Sequence, residues 1–191
     1  DEAPHWSLAG SSLAVFSALM MLMNFAIAWP RVEIMIVLGI VNGISLTLLA
    51  LEGRFAFCHI PALISAAIAG LLGFHVLTDT IALQGTSQRV LVESLLLGRS
   101  AVVFIAFAIL ASIATLFLKR AKKEEAARYY FYAAGCFSVG SSMIAIYAGF
   151  ITRTDHIWTT LSLLVNSIAC LIANWRIRKQ FVSAIASGLW F

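Results

Sequence analysis

Six continuous apolar runs, each of about twenty residues, constrain this chain more than any other feature of its sequence. They lie at 8–29, 34–51, 55–78, 99–118, 129–151 and 157–174. A helix rises 1.5 Å per residue, so about 20 residues cross the ~30 Å hydrocarbon core of a bilayer. Lipid offers the backbone no hydrogen-bond partner, so only a helix or a closed barrel can cross it. Barrel strands alternate apolar and polar with a period of two, and these runs do not. The expected fold is therefore all-α: a polytopic membrane bundle of about six transmembrane helices. Composition agrees, with 61% of the 191 residues hydrophobic and 12% charged. A soluble domain holds roughly 45–50% apolar and about 25% charged residues. A soluble fold of this composition would expose apolar patches large enough to aggregate.

The boundaries carry their own signals. Pro4 and Pro30 lie outside the runs, and Pro61 lies in the first turns of the third, where a missing N–H costs least. Trp6, Trp29, Trp158 and Trp175 fall at span ends, where indole rings suit the headgroup zone. The linkers at 30–33 and 52–54 are short enough to force antiparallel neighbours. Residues 84–89 form a polar loop with Ser87 as helix N-cap, and 90–97 an interfacial helical turn leading into the fourth span. The alternative is a seventh crossing over 80–97, which would bury Arg89 and Glu93 at about 2.5–3.5 kcal/mol per charge. The chain opens on Asp1 and closes on an apolar stretch at 181–191. The expectation is a single transmembrane domain over 1–191, excised from a longer chain.

Lysine and arginine set the orientation. With six spans, nine of the 13 basic residues fall on one side, five of them in the linker 119–128 and three at 176–179. The positive-inside rule makes that side cytoplasmic, with both ends of the chain. The expected location is a bacterial-type inner membrane, crossed several times. The net charge of +4 is concentrated beside spans, so it reads as topology and not as a nucleic-acid footprint. Lys119, Arg120, Lys122 and Lys123 are the expected contacts to anionic lipid headgroups. Other membrane subunits, or the rest of its own chain, are the remaining expected partners.

Within the spans, small residues recur at helical spacing: Ala134, Ser138 and Ser142, then Ala145 and Gly149, and in the third span Ala66/Gly70 and Ala69/Gly73. Such stripes let helix backbones approach closely. Asn42 and Asn166 are the best polar groups at mid-span, and Asn residues there usually tie helices together by hydrogen bonds. With Ser138, Ser141 and Ser142 they could instead line a path for a neutral solute. Every carboxylate and every Lys or Arg lies at or beyond a span end, which speaks against an ion path.

Histidine offers a second chemistry. His5 and His59 are expected near the cytoplasmic face and His75 and His156 near the other, as interfacial, hydrated groups. Two pairs at two depths could hold haem b, with His75 and His156 as one ligand pair. Against this, His59 and His75 are 16 residues apart and point about 160° apart on one helix. Cys58, Cys136 and Cys170 with His59 could form a Cys₃His metal site, but they lack local ligand spacing and read as small buried hydrophobes. No catalytic residue set emerges and no cofactor is expected. The leading expectation is a non-catalytic anchor, assembly or scaffold domain of a larger membrane protein. The alternatives are a transporter or channel-like module for a neutral or lipidic solute, and a haem b electron carrier.

Overall fold

A computed structural model describes residues 8–52, 55–153 and 155–177, and all regular structure among them is helical. The helices are α1 (Leu8–Ala28), α2 (Val32–Glu52), α3 (His59–Leu77), α4 (Gln88–Leu95), α5 (Gly98–Arg120), α6 (Glu124–Ile146) and α7 (His156–Ile177). A 3-10 turn, Ala56–Cys58, leads into α3, and a π-helical turn, Tyr147–Ile151, extends α6. Pro61 sits in the first turn of α3, as its missing N–H requires.

Four segments are long and apolar enough to cross a membrane: Val32–Leu51, Ala56–Leu77, Gly98–Arg120 and Glu124–Ile151. The apolar parts of α1 and α7, Val15–Ala28 and His156–Ile172, are shorter. From 28% to 39% of each of the four spans is buried within the protein, so most of their apolar surface needs another cover. Phe16, Ile27, Ile44, Leu110, Phe117 and Phe150 all face outward. Helices with this outer surface are those of a membrane protein.

Between α3 and α5 the chain makes only α4. At eight residues it is about 12 Å long, less than half of a hydrocarbon core. Ser87 begins it as expected: the Val90 N–H donates to Ser87 Oγ at 3.4 Å. Leu91 is fully buried while Val90 and Val92 are exposed.

The linker at 119–128 needs correction. Lys119 and Arg120 belong to the last turn of α5, and α6 starts at Glu124, five residues before the expected start of that span. Helix continues past the apolar run because the end charges suit it: cations at the C-terminus of α5, Glu124 and Glu125 in the first turn of α6. The turn between them is a Schellman cap. Lys122 takes the left-handed conformation (φ 57°), the Lys123 N–H donates to Leu118 O at 2.9 Å and the Lys122 N–H to Lys119 O at 3.1 Å. Asp79 (φ 52°) closes α3 in the same way, with the Thr80 N–H donating to His75 O at 2.9 Å and the Asp79 N–H to Val76 O at 3.1 Å.

The chain divides into two compact units: Asp1–Leu91 with Ala114–Phe131, and Val92–Ile113 with Tyr132–Phe191. In the first, Ala18, Leu46, Ala50, Cys58 and Ala62 form a core, with Met21, Leu49, Phe55 and Phe57 packed on it. Its closest helix pair is α2 with α3. A Cβ added at Gly39 would fall 2.7 Å from both Ala69 Cβ and Ser65 O, and one at Gly43 would fall 3.6 Å from Ala62 O. Gly39 and Gly43 form a GxxxG pair (GIVNG), a motif legible in the sequence but absent from the stripes expected above. In the second unit, the Phe137 ring of α6 lies 6.0 Å from Phe104 and 5.6 Å from Phe107 of α5.

Candidate functional site

The densest polar arrangement lies in the second unit, on α7. Thr159, Ser162 and Asn166 are spaced three and four residues apart, so they share an arc of about 60° at 100° per residue, and Asp155 stands just before the helix with φ 54°. Thr159, Ser162 and Asn166 are 5%, 1% and 1% exposed. This is the reverse of an amphipathic surface helix, whose polar face looks out. Lipid on the outside leaves the interior as the place for hydroxyls and amides.

At its inner end the column is fully bonded. Ser138 Oγ donates to Asn166 Oδ1 at 2.6 Å, Asn166 Nδ2 donates to Ser141 Oγ at 3.3 Å, and Ser141 Oγ donates to Ala101 O at 2.7 Å. Three helices are thereby tied through one amide. Ser142 instead bonds its own helix, donating to Ser138 O at 3.0 Å. The buried face of α6 runs through Ser141, Ala145 and Ala148, all fully buried, while Ser138 and Ser142 are half-buried. The small-residue stripe expected along 134, 138 and 142 thus differs from this face at Ser138 and Ser142. Ala134 and Ala145 belong to both readings, and Ser138 and Ser141 both reach Asn166.

At its outer end the column meets Arg99 and Asp155, whose Nε and Oδ1 are 3.8 Å apart. Thr159 is clamped between two glycines. A Cβ at Gly98 would fall 2.7 Å from Thr159 Oγ1, and one at Gly149, in the π-helical turn, 2.6 Å from Thr159 Cγ2. Between the two ends, Thr159 Oγ1 and Ser162 Oγ are buried and have no hydrogen-bond partner among the described residues, nor does Asp155 Oδ2. A buried hydroxyl left so costs about 1–3 kcal/mol. The remedy available to a helical Ser or Thr is the carbonyl four residues back. Thr47, Thr78, Thr86, Ser112, Ser142 and Thr152 take it, at 2.7–3.0 Å, and Thr159 and Ser162 do not, nor do the buried Ser65 and Ser167 elsewhere.

The other residues singled out by sequence are dispersed. Asn42 belongs to the first unit, is 4% exposed, and donates from Nδ2 to Met21 O at 2.9 Å, tying α2 to α1. His59 and His75 are 2% and 0% exposed, so neither is the hydrated interfacial group expected. His59 lies beside Tyr130, its ring centroid 5.1 Å from the phenol's and Nδ1 3.4 Å from the hydroxyl. No spacing signal links residues 71 apart in sequence, so that pairing was not legible. His75 packs edge-on to Phe74, with ring centroids 5.8 Å apart. His156 is exposed at the start of α7, in the second unit. His5 lies outside the described residues. Cys58 is buried, Cys170 half-buried and Cys136 exposed. Among the described residues no three His, Cys, Asp or Glu side chains lie together as a metal would require. Lys119, Arg120, Lys122 and Lys123 are all exposed. Compared with known proteins, the chain matches no protein family, no curated protein and no solved structure.

Proposed function

We propose that this chain is a non-catalytic membrane domain: an anchor or scaffold for a larger inner-membrane assembly, crossing the bilayer six times with both ends cytoplasmic. One observation carries the reading. The two mid-span amides serve as ties between helices, Asn42 to the backbone of α1, and Asn166 through Ser138 and Ser141 to the backbone of α5. Such ties hold helices together where lipid supplies no hydrophobic drive between them. The six crossings comprise the four long spans with α1 and α7, and α4 lies along one face of the membrane because it is too short to cross. The exposed Lys119, Arg120, Lys122 and Lys123 then meet anionic headgroups on the cytoplasmic side, each worth about 1 kcal/mol near a charged surface.

The test is solute uptake. Purified protein in liposomes is challenged with small neutral solutes such as glycerol and urea, and swelling is followed by light scattering. The expected rate equals that of protein-free liposomes. Swelling that Asn166→Leu abolishes, in a variant that still folds, would put a solute pathway in place of the scaffold. A visible haem spectrum in the purified protein would displace it in favour of an electron carrier.

A further inference from the structure

We propose that the Thr159–Ser162–Asn166 face of α7 binds a file of water molecules, entering from the Arg99–Asp155 end and reaching the amide of Asn166. This goes beyond the scaffold reading and stands whichever way the solute-uptake test falls. Two buried hydroxyls on this face and one carboxylate oxygen at its end have no partner among the described residues, and the hydroxyls decline the carbonyl bond that six others in this chain make. The two hydroxyls lie on one side of α7, in line with an amide that is itself hydrogen-bonded, and the carboxylate belongs to the residue just before the helix.

The chemistry selects water over other occupants. From Thr159 to Asn166 the column runs about 10 Å. A cation gathers its ligands within about 2.3–2.6 Å, so no single ion can serve groups spread over that length. A cation at the outer end would also meet the guanidinium of Arg99, 3.8 Å from Asp155. A lipid chain can neither donate nor accept. Water does both, and at hydrogen-bond spacing of about 2.8 Å some three molecules fill the stretch. Buried waters take up polar groups that the fold leaves over. The π-helical turn at Tyr147–Ile151 stands at the outer end, where Gly149 meets Thr159. Such turns recur at functional sites, where they displace a helix wall locally.

The experiment uses the full chain in liposomes, with Cys58, Cys136 and Cys170 replaced by Ala. Single cysteines are placed by Ser162→Cys, Thr159→Cys and Ala145→Cys, the last at a fully buried apolar position of the same unit. A thiol reacts as its thiolate, which needs water beside it. The expected result is modification of the Ser162→Cys and Thr159→Cys proteins by methyl methanethiosulfonate at least tenfold faster than of Ala145→Cys. Rates as slow as that of Ala145→Cys would overturn the proposal. If the cysteine variants do not fold, Ser162→Ala decides. A hydrated hydroxyl leaves a stranded water when removed, so Tm falls. A dry, unpartnered one is better gone, so an unchanged or raised Tm would overturn the file.

Discussion

Single atoms decide most at Gly39. Its hydrogen stands where a methyl would press on Ala69 Cβ and on the Ser65 carbonyl at 2.7 Å, and one of those contacts is backbone that cannot rotate away. Gly39→Ala is therefore expected to cost about 1–3 kcal/mol through forced separation of α2 and α3. Gly43→Ala, whose nearest contact would be 3.6 Å, should be close to neutral. Thermal unfolding in detergent measures both, and equal losses at the two sites would mean that α2 and α3 do not approach most closely at Gly39. Lys122 offers the opposite sign. A side chain at φ 57° carries a steric cost that glycine avoids, so Lys122→Gly should stabilise the α5–α6 turn by about 1 kcal/mol. The change removes one cation, so its stability is best compared in uncharged detergent. Neither cap residue, Asp79 or Lys122, was legible as a helix stop, because the usual signal is a glycine.

At the scale of elements, α6 is the helix on which sequence and structure differ most usefully. Its interior face runs through Ser141, Ala145 and Ala148, and its outer face through Phe131, Val139 and Met143. Ser141→Leu inserts volume where the Ser141 hydroxyl now reaches Ala101 O, and is expected to cost at least 1–3 kcal/mol. Phe131→Leu exchanges one outward apolar side chain for another and should change Tm little. Were the two variants equally stable, the inward face of α6 would be wrongly assigned. The stripe drawn from small residues shares Ala134 and Ala145 with this face and differs at Ser138 and Ser142, which are half-buried. Ala, Ser and Gly occupy several faces of α6, and only contact with α5 and α7 distinguishes the one that is buried. α7 shows the same limit: Asn166 stood out as a polar mid-span residue, whereas Thr159 and Ser162 pass unnoticed until their burial is known.

At the scale of the whole molecule, the testable quantity is topology. A reporter fused after Lys123 should be cytoplasmic, and one at Thr154, which lies outside the described residues, should be external. A cytoplasmic reporter at Thr154 would invert the orientation. A reporter at Gln84 should also be external, because α4 is about 12 Å long and cannot return the chain across the bilayer. A cytoplasmic Gln84 reporter, with the other two as expected, would restore a crossing within 80–97. Removing the charge of Lys119, Arg120, Lys122 and Lys123 together should weaken the orientation preference, since with six crossings these residues supply four of the nine basic groups on one side.

The amino-acid sequence by itself determined the solvent of this protein, its all-helical character and some of its helix ends. Those follow from run length, from backbone groups that lipid cannot satisfy, and from local signals such as Ser87 and Pro61. What only the tertiary structure decided is which face of each helix looks inward. In water a helix declares its buried face by polarity. In lipid both faces are apolar, so the choice rests on shape and on a few hydroxyls and amides, at Gly39 against Ala69, Thr159 between Gly98 and Gly149, and Asn166 between Ser138 and Ser141. Those contacts join residues of different helices, and a local pattern such as the Gly39–Gly43 pair does not say which partner it meets.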